Sequence, residues 1–165
     1  MSDLYHTDHY KWLTKQVALL ASKQFNELDL DNLLEELEMG IKGDLREFRH
    51  RLETLIAHLL KMNYQTTVLK DACSNYFIKK WIGTIKESRK KINELITENY
   101  SLKNYIEEAM VVAYVNAKEQ AIDEMNIHAA SKKQRLDNNS LPNECPWDFD
   151  KLMETEWYPL NGVEI

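Results

Sequence analysis

Glycine and proline are scarce here, four and three among 165 residues. An all-β sandwich turns tightly roughly every eight to twelve residues and needs far more of both, so that class is excluded. Cysteine is scarcer still. Cys73 and Cys145 stand far apart and outside any Cys-x-x-C word, which leaves no zinc-ribbon pattern and gives a disulfide no support. The longest apolar run, Ala109 to Val115, falls far short of the ~20 residues of a membrane span. The acidic, polar start has no basic leader and no apolar segment, and no lipidation word closes the chain. Two reduced thiols in a cytoplasmic protein are therefore expected. A basic excess is missing too: the net charge of −6 excludes a general nucleic-acid coat. With 44% apolar and 29% charged residues, wholesale disorder is excluded as well.

What is present is helical periodicity. From Asp44 to Leu141 there is one glycine and no proline, so the stretch reads as almost continuously helical. A first helix is expected from about Asp8 to Lys23, capped by Thr7 or Asp8. Trp12, Leu13, Gln16, Val17, Leu19 and Leu20 make its buried face. A second begins near Asp29 or Asp31. Its apolar residues Leu30, Leu34, Leu37, Ile41, Leu45, Phe48, Leu52, Leu55, Leu59 and Met62 keep phase across Gly40 and Gly43. One long helix is the reading, with one doubled four-residue step as a stutter.

A third helix, about Cys73 to Asn99, carries the seam Ile78, Ile82, Ile85, Arg89, Ile92 and Ile96. A fourth, capped by Ser101 and running from about Leu102 to Met125, sets Ala109, Ala113, Ala117 and Ala121 four residues apart. Such a row lets another helix approach closely. The polar residues from Ser131 to Ser140 read as an exposed loop. The aromatic tail, Trp147 to Leu160, is expected to pack back on the bundle.

Several words then line up: Leu4-Tyr5 with Asp8, Trp12 and Gln16; Phe25-x-x-Leu28-Asp29; Asn32-Leu33-x-Glu35-Glu36-Leu37-Glu38; His58-Leu59-Leu60-Lys61. Further on come Trp81-Ile82-x-x-Ile85 with Arg89, Ala113-Tyr114-x-x-Ala117, Cys145-Pro146-Trp147 and Trp157-Tyr158-Pro159. Over about residues 4–160 the chain resembles the family called domain of unknown function twenty-nine. The resemblance implies a small, all-helical bacterial protein and no stated activity. The family's glutamate-threonine-glycine-leucine word is replaced here by Glu124-Met125-Asn126-Ile127.

Charge is segregated. Glu27, Asp29, Asp31, Glu35, Glu36 and Glu38 crowd twelve residues with no base among them. Lys79, Lys80, Lys86, Arg89, Lys90 and Lys91 stand against Glu87 alone. A buried Arg89 between Ile85 and Ile92 would need a carboxylate partner, and Glu35 or Glu38 are the candidates. The pair would fix helix register or serve as an anion or partner site; otherwise Arg89 snorkels to the surface. The lysines at 79, 86 and 90 share a helix face that could track phosphates, and equally suit a solvated helix. His58 sits beside the second seam and reads as a core histidine before a ligand. Glu47-Phe48-Arg49-His50 is a lone Glu-x-x-His, where a di-iron bundle needs two. No nucleophile elbow, phosphate loop or dinucleotide fingerprint occurs.

The expectation is an all-α domain over residues 1–165, a bundle of about four to five helices with a long central helix pair, a polar loop at 127–144 and the tail at 145–165. Function is read as a non-catalytic interaction or regulatory module with a protein partner, a homodimer included. No cofactor, metal, catalytic residue or membrane contact is expected. The alternatives are nucleic-acid binding through Lys79 to Lys91 (including Lys80) and a small enzyme or metal protein with a cleft on Glu35, Glu38, His58 and Arg89.

Overall fold

Helices start and stop at the polar punctuation in the computed structural model, which describes residues 3–70 and 74–165. After one turn of helix, α1 (Leu4–Thr7), the Asp8 side chain accepts from the Lys11 N–H at 3.0 Å and caps α2 (His9–Ala21). Lys23 reverses the chain in the left-handed region at φ 59°, and a tight turn at Phe25–Glu27 leads to α3 (Leu30–Tyr64). As its unbroken seam predicts, α3 is one helix of 35 residues through Gly40 and Gly43. It ends in a widened turn in which the Lys70 N–H reaches the Gln65 carbonyl at 2.9 Å.

There follow α4 (Ser74–Glu98), a tight helical turn at Tyr100–Tyr105, α5 (Ile106–Ile127), and, beyond the loop, α6 (Phe149–Met153). The protein is all-α, with no strand among the described residues. Cys73, the expected start of the third helix, lies outside them. Ser101 caps nothing. It sits inside the turn from which Leu102 is buried, so packing of that leucine sets the start of α5.

Where the periodicity suggests a single domain, the chain divides into two compact units, Met1–Asp44 and Leu45–Ile165. In the larger unit the seam residues of α3 from Phe48 to Met62 are fully buried with Ile78, Ile85 and Ile92 of α4 and Leu152 of α6. Burial of each such side chain stabilises by about 1.5–3 kcal/mol. The alanine row of α5 belongs to this core: Ala113, Ala117 and Ala121 are buried beside α3. Hydrogen bonds from Asn116 to Glu53 (2.8 Å) and from Lys61 to Glu124 tie α5 to α3.

The polar loop is largely exposed but pinned at two leucines, Leu136 and Leu141. Asn126 exchanges two hydrogen bonds with the Leu136 backbone, and the Tyr114 hydroxyl donates to the Pro142 carbonyl at 2.6 Å. The aromatic tail does pack back, with Trp147, Trp157, Tyr158 and Leu160 against the core. The smaller unit departs from expectation in its helix faces. Trp12, Gln16 and Leu19 are buried on α2, whereas Leu13, Val17 and Leu20 are exposed.

Ala117 has no room for a larger side chain. Ala117→Leu should cost about 1–3 kcal/mol by overpacking, read as a lower urea midpoint at unchanged slope.

Candidate functional site

The N-terminal hairpin is held by two acids that face inward. Glu36 Oε1 takes the Tyr5 hydroxyl and His9 Nε2, each at 2.9 Å. Asp29 Oδ2 takes the Trp12 indole N–H at 3.0 Å and the Asn32 amide at 2.8 Å, while the Asp29 backbone N–H donates to buried Gln16 at 2.9 Å. Tyr5 and Trp12 meet edge to face with centroids 4.8 Å apart, an arrangement the ring quadrupoles favour.

Hydrogen bonds from His9 and Tyr5 hold the Glu36 carboxyl below its ordinary value. Those from Asn32 and Trp12 do the same for Asp29. Burial, followed by the bond to Glu36, pushes the Tyr5 phenol up to about 12. Residues 5–9 lie opposite Glu36 and residues 12–16 opposite Asp29, so α2 and the start of α3 run antiparallel.

Because those side chains use one side of each helix, the apolar seam is left uncovered. Leu30, Leu34, Leu37 and Ile41 are 59%, 58%, 66% and 63% exposed. On α2 the exposed stripe is Leu13, Val17 and Leu20. On each helix the stripe lies about a third of a turn beyond the inward residues, in the same rotational sense; for antiparallel helices this puts both stripes on one face. Val17, Leu20 and the four α3 residues together expose on the order of 600 Å². That is the upper end of the largest patch on an ordinary monomer.

Of the residues singled out by sequence, His58 and Arg89 of the larger unit line different cavities. Arg89 is buried, at 4% exposure, but the carboxylate anticipated for it is corrected: its donors go to backbone. Nε reaches the Leu152 carbonyl (2.7 Å), Nη1 that of Thr155 (3.1 Å) and Nη2 that of Trp157 (2.9 Å). Its Cζ lies 5.2 Å from the centroid of the Tyr158 ring. Arg89 thus caps α6 and clamps the tail, since carbonyls ending a helix need donors and favour a cation. Glu35 and Glu38 are exposed on α3, Glu38 beside Lys42 at 3.8 Å.

His58 Nδ1 bonds the Thr54 carbonyl at 2.8 Å, and burial, then the nearby Lys61 charge, lowers its pKa. Lys79, Lys80, Lys86 and Lys90 are exposed on α4 and Lys91 is half-buried. Lys90 and Lys91 turn to Glu94 at 3.9 and 3.2 Å, as on a solvated helix. Glu47 is taken by Arg51 at 2.7 Å, and no three metal-ligating side chains gather among the described residues.

The sequence reading missed one buried ion pair. Lys61 bonds Glu124 and lies 5.2 Å from the Trp81 ring centroid, at a cavity of about 260 Å³ also lined by His58 and His128. Burial raises the Glu124 carboxyl, but the bonds from Lys61 and Gln120 and the Lys61 charge outweigh it, and the net direction is down. The Lys61 charge is paired with Glu124, while Lys80, also on the cavity's lining, is exposed. A lysine beside Met62 on an apolar face was the available signal.

The family model Domain of unknown function DUF29 matches residues 4–158. The chain belongs to this family. The match spans both units, so the hairpin is part of the family domain. No curated protein and no solved structure gives a match.

Two outcomes are expected. Arg89→Met leaves three carbonyls without their donor and should cost about 1–3 kcal/mol, with faster proteolysis between Glu154 and Tyr158. A tail as resistant as before would show that the guanidinium does not hold it. For the hairpin, Asp29 and Glu36 have folded values below their ordinary 3.8 and 4.5, so the folded state binds fewer protons than the unfolded one. Their stabilisation is full above pH 4.5 and fades as pH falls through the lowered values. The Trp12 indole N–H resonance should report this, and Glu36→Gln should flatten the acid limb.

Proposed function

We propose that the chain is a non-catalytic helical interaction module that engages another protein through the apolar face of its N-terminal hairpin. One observation carries the reading: a line of large aliphatic side chains, running from α3 on to α2, lies exposed on one face of a scaffold fixed by its own inward hydrogen bonds. Isolated surface leucines need no explanation, whereas a contiguous patch of this size marks a contact surface. The alanine row, a second feature suggestive of association, is consumed by the core and does not contribute.

A photo-reactive amino acid at Leu34, introduced in living cells, should form a discrete adduct with a protein. The adduct should disappear in a Leu37→Asp background and be missing when the probe replaces Glu87 on α4. No face-dependent adduct at Leu34 or at Val17 would remove the reading.

A further inference from the structure

The charges around the apolar face say what kind of partner it fits. The two inward acids, Asp29 and Glu36, lie on one side of the α3 stripe. Asp31, Glu35 and Glu38 run along the other side at the same four-and-three spacing, all exposed. Asp31 and Glu35 make no ion pair or side-chain hydrogen bond among the described residues, and Glu38 meets only exposed Lys42. The outer edge of α2, by contrast, presents neutral Tyr10, Thr14 and Ala18. Lys11 and Lys15 fall about half a turn from Leu13 and Val17, on the back of the hairpin. The face is therefore an apolar stripe with a one-sided acidic rim.

From this arrangement we infer that this face takes a basic amphipathic helix of another protein, with lysine or arginine flanking its apolar stripe. The inference rests on the interaction-module reading and names its partner. A second copy of this chain fits less well. Residues 1–44 carry nine acidic and four basic side chains, so self-association brings like charge to like. Packing α3 on α3 antiparallel would set acid rim against acid rim. Packing α3 on the partner's α2 would set it against a neutral edge with the lysines turned away. A basic helix laid along this face meets Leu30, Leu34, Leu37 and Ile41, with Leu13 level with Leu30 where the α2 stripe continues the line. It presents its cations to Asp31, Glu35 and Glu38, an amphipathic-helix mode of recognition with charge setting the partner.

The test uses the full chain and two synthetic probes: an eighteen-residue helical peptide with leucine on one face and lysine on its flanks, and the same peptide with glutamate for lysine. Fluorescence anisotropy should show the lysine peptide binding at least tenfold tighter. Asp31→Lys with Glu35→Lys should reverse the preference, and Leu34→Asp with Leu37→Asp should abolish binding at unchanged helical circular dichroism. Equal binding of both peptides, binding of neither, or a preference untouched by the charge reversal would overturn the inference. So would a dimer in sedimentation equilibrium that the two aspartates dissociate, because a second copy would then be the occupant. Face-dependent photo-adducts alongside such a result would leave the module reading standing; their loss as well would remove both.

Discussion

A helix of 35 residues presents one apolar stripe along its whole length, and the rest of the fold answers to the need to cover it. From Phe48 onward α4, α5 and the tail do so completely, and Leu52, Leu55 and Leu59 have no solvent exposure. Each contributes the full transfer free energy of a buried leucine. Within the smaller unit α1 and α2 are held to α3 through polar latches, and Leu30, Leu34, Leu37 and Ile41 stay exposed. The stripe is thus worth several kcal/mol over one half and next to nothing over the other. That asymmetry separates a core from a contact surface.

Buried polar groups follow the complementary rule. Arg89, Lys61, Gln16 and Thr66 are all buried, and no buried side-chain nitrogen or oxygen among the described residues lacks a partner. Arg89 shows how backbone can replace a counter-ion. Three carbonyls and the Tyr158 ring supply negative potential in a fixed fork geometry that suits a guanidinium. Burial pulls its pKa down while Tyr158, Glu154 and Glu156 pull it up, so the tail both satisfies the cation and depends on it. Thr66 does the same on a smaller scale, donating to the Pro159 carbonyl at 2.9 Å.

Much of this was legible in the sequence. The all-α class, the uninterrupted α3, the isoleucine seam of α4 and the returning tail follow from periodicity, glycine placement and aromatic clustering. The family resemblance is matched over residues 4–158. Two things were not legible. The pattern at Leu30, Leu34, Leu37 and Ile41 is the same as at Leu52, Leu55 and Leu59, and spacing cannot say whether a neighbour exists to cover it. Nor does composition reveal that a guanidinium will be met by carbonyls, because every residue carries one and none is marked in the sequence. The carboxylate anticipated for Arg89 failed for that reason, and the exposed half of the seam could not be told from the buried half for the other.

The acid cluster resolves the remaining ambiguity of the hairpin. Six acids in twelve residues would be costly for a helix that had to pack on both sides, yet only Asp29 and Glu36 turn inward, each accepting two side-chain hydrogen bonds. Those bonds hold both carboxyls below their ordinary values, so the latch is anionic at neutral pH and gains from being so. Of the outward acids, Glu27 accepts from the Gln24 amide at 3.3 Å and Glu38 lies 3.8 Å from Lys42, whereas Asp31 and Glu35 have no side-chain partner among the described residues. Exposed carboxylates beside an aliphatic stripe keep the patch soluble while it is empty and repel a second acidic hairpin. For the partner proposed above, the same field would draw in a cationic helix and orient it before the leucines touch. An apolar surface alone would accept many partners, and it is the one-sided rim that narrows the choice.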